Sequence, residues 1–232
     1  EATKGLAGVS ASQVEMKSGI QFYDGITTAE IQEILIKAAS DLIDLDHPNY
    51  QYVAARLLLF SLRKSLYGKM REMPTLENHI YGCVGAEVYD SDIYQKYSKE
   101  EIEKVNSFID HGRDFLFTYA GLRQVVDKYL VQDRSSGGVY ETPQFMYIMI
   151  ALTIFAEYPK ETRLDYVRRY YNAISKHKIK WRFSLRTQRK RRTLFIKIWN
   201  LVLAECVGLW VLEQIESINT LWVKTHKDSR NI

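Results

Sequence analysis

The chain has 232 residues, of which 46% are hydrophobic, 26% charged and 12% aromatic, the proportions of an ordinary globular protein. Sixteen Tyr, nine Phe and four Trp exclude a disordered chain, because their apolar area offsets chain entropy; four Pro and twelve Gly exclude a collagen-like or loop-dominated one. Two cysteines, Cys83 and Cys206, are too few for a disulfide scaffold or a four-cysteine zinc site and suit a reducing compartment.

Helical signals dominate the chain from its start. Ser10 with Gln13 reads as a capping box opening a helix that runs toward Phe22 and stops near Asp24-Gly25. Thr27 with Glu30 is a second box. The helix it opens places Ile31, Ile34, Leu35, Ala38, Leu42 and Leu45 on one face, and His47-Pro48 ends it, since the residue before Pro avoids the α region. A third helix runs from about Tyr50 to Tyr67 with Val53, Leu57 and Phe60 inward, and Gly68 stands where a left-handed C-cap falls. Helices follow over 75–84 and 100–109, the second capped by Ser98 with Glu101. Tyr129-Leu130-Val131 and Val139-Tyr140, joined by a turn-rich segment, predict a β-hairpin. Thr142-Pro143 offers an N-cap and N1 proline to an apolar helix reaching Glu157, and a last helix spans 161–175. The fold class is mainly α with a minor β element.

The net charge of +4 is unevenly placed. Lys176 to Arg192 holds nine basic residues and no acid; setting those aside leaves −5 on the rest. Such a run can attract phosphates, and it equally reads as a solvated stretch. All four tryptophans follow Lys180, which marks a boundary near 180. Residues 1–20 carry no secretory signal. The apolar window 194–212 is interrupted by Lys197, Asn200 and Glu205, so it reads as a buried or amphipathic helix rather than a membrane span.

Enzyme motifs are scarce. No GxGxxG, Walker A, HExxH or GxSxG occurs, and the five histidines lack metal-ligand spacing. Asp110-His111-Gly112-Arg113-Asp114 is either an active-site loop or a capping and ion-pair turn. Cys83 reads as a small buried hydrophobe, Cys206 has no activating base beside it, and the tyrosines at 89, 94, 97, 166, 170 and 171 read as half-buried packing groups.

Six consecutive segments nevertheless resemble one family, the large subunit of class I ribonucleotide reductase. They are IQFYDGITTAEI at 20–31, IKAASDLI at 36–43, NYQYVAARLLLFSLRK at 49–64, FIDHGRDFLFTYAG at 108–121, KYLVQDRSSGGVYETPQF at 128–145 and YPKETRLDYVRRYYNAIS at 158–175. Order and spacing agree from about Gly5 to Lys178. The resemblance implies an ATP-cone-like helical module over 1–70, a helical N-terminal domain with a small β-hairpin over 71–180 that enters the α/β barrel, and a divergent basic and apolar tail over 181–232. It also implies ATP or dATP as an allosteric effector, with Thr28, Gln32 and Lys64 as nucleotide-binding residues and no metal in this chain. The sense is physical: Thr28 lies at a helix N-terminus, where amides and dipole favour phosphate, and Lys64 offers a point charge.

Two departures bear on the expectation. The family's opening strand pair, a lid over the phosphates, has no counterpart ahead of Gly5, so nucleotide should bind weakly or not at all if that lid is absent. After Lys180 the sequence WRFSLRTQRKRRTLFIKIW matches neither the family's Pro-Thr-Pro loop nor its Ser-Ser-Cys strand. Leu203-Ala204-Glu205-Cys206 echoes a family Leu-Ile-Glu-Cys, but Leu201 stands where the redox cysteine belongs. Ribonucleotide reduction needs a thiyl radical and a reducing thiol pair, so the catalytic cysteines are expected on another segment or chain, and no catalytic residue is assigned here. The implied partners are the remainder of the large subunit, the small subunit and a second copy; nucleic acid and membrane are not expected, and the location is cytoplasmic. The alternative is a non-catalytic interaction or nucleic-acid-associated protein that reuses the helical scaffold, supported by the basic run.

Overall fold

The computed structural model describes residues 1–70, 72–133 and 137–177. Nine α-helices occur among them: α1 (Ala11–Gly19), α2 (Thr28–Ser40), α3 (Tyr50–Tyr67), α4 (Leu76–Gly85), α5 (Ile93–Lys96), α6 (Lys99–Ser107), α7 (Tyr119–Lys128), α8 (Pro143–Ile154) and α9 (Lys160–Ser175). A 3-10 helix, His111–Leu116, precedes α7. The mainly helical class is as expected. The basic run beyond His177, the apolar window 194–212 and Cys206 lie outside the described residues.

The α2 and α3 helices pack along each other, and their meeting surface is small: Ala38 and Ala39 face Val53 and Ala54 in a core that also holds Ala2, Val14 and Tyr50. Alanines bring two backbones close at no cost in side-chain entropy. The N-terminal segment is tied to the same helix pair. Arg56 Nη1 donates to the carbonyls of Ala2 (3.1 Å) and Lys4 (2.7 Å), and Asn49 Nδ2 donates to Ala7 O at 2.9 Å.

The opposite side of α3 faces α7 and the 3-10 helix, so α3 is buried on more than the one face that Val53, Leu57 and Phe60 mark. Val53 is buried, Leu57 and Phe60 only half-buried, and Leu58, Leu59, Leu62 and Arg63 are buried as well. The α8 helix is buried nearly all round, at its own Phe145, Met146, Tyr147, Ile148, Ala151 and Leu152, and packs on α9, while α4 packs on α6.

Four local expectations need correction. Ser10 makes no side-chain cap, because the Tyr50 hydroxyl takes its amide proton instead (3.0 Å) and donates to Gln13. The α2 helix ends at Ser40 rather than at His47-Pro48: Asp44 Oδ1 accepts the His47 amide at 2.5 Å, a side-chain turn that competes with helix, and Leu45 is fully exposed. The hairpin shrinks to one antiparallel bridge, Gln132 with Val139. Its first strand cannot lengthen, since the Tyr129 and Leu130 amides both return to Val125 O at the end of α7, and its second runs at once into the α8 N-cap, Thr142. The α8 helix in turn stops at Ile154, short of Glu157. No longer strand is present among the described residues, so the barrel implied by the resemblance is not among them.

Candidate functional site

The first turn of α2 is built by a reciprocal cap. Thr27 Oγ1 accepts the Glu30 amide at 3.3 Å, while Glu30 Oε2 accepts the Thr27 amide at 2.8 Å and the Thr27 hydroxyl at 2.7 Å. Tyr23 donates to the other Glu30 oxygen at 2.9 Å. The Thr27 hydroxyl, the Thr27 amide and Tyr23 hold the Glu30 carboxyl below its usual range. A helix leaves its first amides without intrahelical acceptors; here the cap satisfies Glu30, and the amides of Thr28 and Ala29 stand on exposed residues at the positive end of the dipole. The negative Glu30 opposes an anion at this end, so a phosphate held here needs a cation from elsewhere.

Lys64 is a cation on the adjoining helix. It is exposed on the last turn of α3, and its carbonyl accepts the Gly68 amide at 2.9 Å. Gly68 has φ +68, the left-handed geometry that ends a helix most easily at glycine. A short connection, residues 41–49, folds α3 back along α2. Gln32 lies one turn beyond Thr28 and is half-buried. Among the described residues no hydrogen bond or ion pair joins the three side chains. A cleft of about 230 Å³ between α4 and α6, lined by Glu77, Ile80, Tyr94 and Ile102 among others, involves none of them.

Two buried polar groups escape a reading of the sequence. Arg63, next to Lys64, donates to Asp114 Oδ2 (2.8 Å) and to His111 O (2.7 Å). Gln144 Nε2 donates to Asp114 Oδ1 (2.9 Å), and Tyr171 donates to Gln144 Oε1 (2.8 Å). Burial pushes the Asp114 carboxyl up while Arg63 and Gln144 draw it down. The turn at 110–114 is thus a capping and ion-pair turn: Asp110 Oδ1 accepts the Gly112 amide (2.9 Å), and Asp110 Oδ2 pairs with Arg113 (3.3 Å). The only sequence signal was the density of charge in that turn.

The second group lies beneath the hairpin. Glu141 accepts the Val131 amide at 2.8 Å and the Tyr89 hydroxyl proton, and Tyr89 lies 3.2 Å from His79 Nε2. His79 stacks flat on Phe145 at 4.0 Å. Burial raises Glu141 to about 7 and lowers His79 to about 4. Cys83, 3.8 Å from His79 Nε2, is pushed up to about 12 by the same burial. It is a protonated, inert thiol at neutral pH. No cluster of three or more His, Cys, Asp or Glu suited to a metal occurs among the described residues, nor a helix long and apolar enough to cross a membrane.

Comparison with known proteins locates these features. Residues 6–65 match the ATP cone domain, a range that contains Thr28, Gln32 and Lys64, and residues 115–180 match the ribonucleotide reductase all-alpha domain. The chain is 51% identical over 178 residues to the ribonucleoside-diphosphate reductase 1 subunit alpha of Escherichia coli (strain K12), covering 77% of this chain and 23% of that protein. It is 51% identical over 178 residues to the subunit alpha of Haemophilus influenzae (77% and 23%) and 45% identical over 174 residues to that of Enterobacteria phage T4 (74% and 23%). The chain therefore spans under a quarter of the length of these curated relatives.

Proposed function

Over its N-terminal 178 residues the chain belongs to the ribonucleoside-diphosphate reductase alpha-subunit family, and we propose that it serves there as the part that senses an adenine nucleotide and scaffolds the reductase. The observation that carries this is the ATP-cone match over 6–65, which brackets an exposed helix N-terminus and an exposed lysine on the adjoining helix. The phosphates would sit on the Thr28 and Ala29 amides and the Thr28 hydroxyl, with Lys64 neutralising charge and Gln32 one turn further along α2. ATP or dATP is the effector. The module division is 1–70 for the cone and 71–180 for the helical domain, with 181–232 as a separate tail.

Reduction of ribonucleoside diphosphates would fall to an assembly. Cys83 is buried and protonated, so reducing thiols would come from another segment or polypeptide. The partners are that remainder of the large subunit, a small subunit and a second copy of the chain, in the cytoplasm. The nucleic-acid reading rests on 176–192, of which only Lys176 and His177 are described, and the comparisons add nothing to it.

Isothermal titration of the chain with ATP and with dATP tests the effector role. Binding of at least one nucleotide is expected, weakened about tenfold or more by Thr28→Val and by Lys64→Gln, as expected when a charged hydrogen bond is lost. No heat with either nucleotide removes the reading. Mixing the chain with a polypeptide bearing the remaining cysteines and measuring diphosphate reduction tests the assembly.

A further inference from the structure

Arg63 and Lys64 are consecutive on α3, so their side chains diverge by about 100°. Lys64 faces outward at the candidate effector site, and Arg63 is 3% exposed. The Arg63 guanidinium ends on Asp114, itself 1% exposed, and the polar chain continues without a gap. Asp114 accepts from Gln144 on α8, Gln144 accepts from Tyr171 on α9, and the Tyr171 hydroxyl accepts the Asp110 amide at 2.9 Å. One chain of hydrogen bonds thus ties the last helix of the ATP-cone match to the 3-10 helix, α8 and α9, most of which fall in the all-alpha match.

A buried ion pair contributes little net stability, because desolvation offsets the attraction. What it supplies is registry: a displaced guanidinium would leave a carboxylate unpaired in the core, so α3 can shift only if its partners shift with it. The Arg63 guanidinium also lies over the Phe115 ring, 5.3 Å from its centre, which resists rotation out of line. From this geometry we propose that Arg63 is a positioning residue that couples nucleotide binding at Lys64 to the helical domain through Asp114 and Gln144. The proposal rests on the effector role given above.

The test compares the full chain with the double variant Arg63→Met/Asp114→Asn. It removes both charges together, keeps side-chain volume and leaves an oxygen for Gln144, so the fold should survive; thermal unfolding checks that. Calorimetry reads ATP binding, and hydrogen exchange reads residues 108–118 and 141–152 with and without ATP. In the wild type, ATP should slow exchange of both segments by about fivefold, the lower range of typical coupling. In the folded double variant ATP should still bind, within a few-fold of wild type, while that slowing disappears. ATP binding to the wild type with no change in either segment overturns the coupling, as does full slowing in the variant or a variant that does not fold. ATP heat missing from the wild type instead shows that the effector role itself has failed, and the coupling falls with it.

Discussion

The hydroxyl of Tyr50 on α3 does for Ser10 what a local cap does elsewhere: it accepts the Ser10 amide at 3.0 Å and donates to Gln13 of α1. The start of α1 therefore depends on a contact 40 residues away in sequence. Tyr50→Phe keeps the buried ring and removes both bonds. It should cost about 1–2 kcal/mol, the usual worth of a buried pair left unmade, with hydrogen exchange rising in residues 10–15 before α3. Urea denaturation and exchange together check this; unchanged protection at 10–15 would show that α1 holds by packing alone.

The Thr27 cap makes the opposite expectation, since it is local. Thr27→Ala removes the acceptor for the Glu30 amide and one of the three donors to the Glu30 carboxyl, leaving the backbone amide of residue 27 and Tyr23, and should lower stability by about 1 kcal/mol. The same turn presents the Thr28 and Ala29 amides, so ATP affinity should fall with it, and Thr27→Ser should restore both. Nucleotide affinity unaffected by a measurable loss of stability would place the phosphates away from this turn.

Where structure follows from neighbours in sequence, it is legible. Thr27 with Glu30 and Ser98 with Glu101 form the boxes their spacing implies, and Gly68 closes α3 in the left-handed region. Where a distant residue competes, local signals mislead: Ser10 and Gln13 have the same spacing, yet Tyr50 takes both. The α7 helix is missing from the predicted elements, although Thr118 caps it and Leu122 and Val125 give it a buried face at helical spacing. The candidate effector residues came from resemblance alone, since Lys64 otherwise looks like any surface lysine. Arg63, one position earlier, gives no hint of its burial, because its partner Asp114 is 51 residues on.

His79, buried, and His111, half-buried, lie beside Phe145, and desolvation holds both near 4, below the ordinary histidine value. Between about 4 and 6.5 the unfolded chain therefore binds more protons than the folded one. The stability these residues contribute is complete above about 6.5 and is lost as pH falls toward 4. His79→Phe preserves the stack on Phe145 and has nothing to protonate. Its loss of stability between pH 7 and 4.5, followed by urea midpoints, should be shallower than that of the wild type, with His111 supplying the remainder. An equally steep loss would mean that His79 takes up its proton without unfolding.

Glu141 should act in the other direction. Its carboxylate is 2% exposed, with only the Val131 amide and the Tyr89 hydroxyl to stabilise its charge. His79, Cys83 and Tyr67 are the other titratable groups near it, and His79 is neutral there. Burial raises the carboxyl to about 7, so between about 4.5 and 7 the folded protein holds a proton that the unfolded chain has released. The stability tied to this group is greatest below about 4.5, falls as pH rises toward 7 and is level beyond. Glu141→Gln keeps an oxygen for Val131 and cannot ionise. Relative to wild type it should therefore gain stability as pH rises from 5 to 8, by on the order of 1–3 kcal/mol. Hydrogen exchange in residues 129–133 should slow in step, because the carboxylate is what joins the bridge to the helices beneath it. Unfolding free energies of the two proteins at pH 5, 6, 7 and 8 decide the matter, and a difference that stays constant across that range would show that Glu141 is already ionised at its lower end.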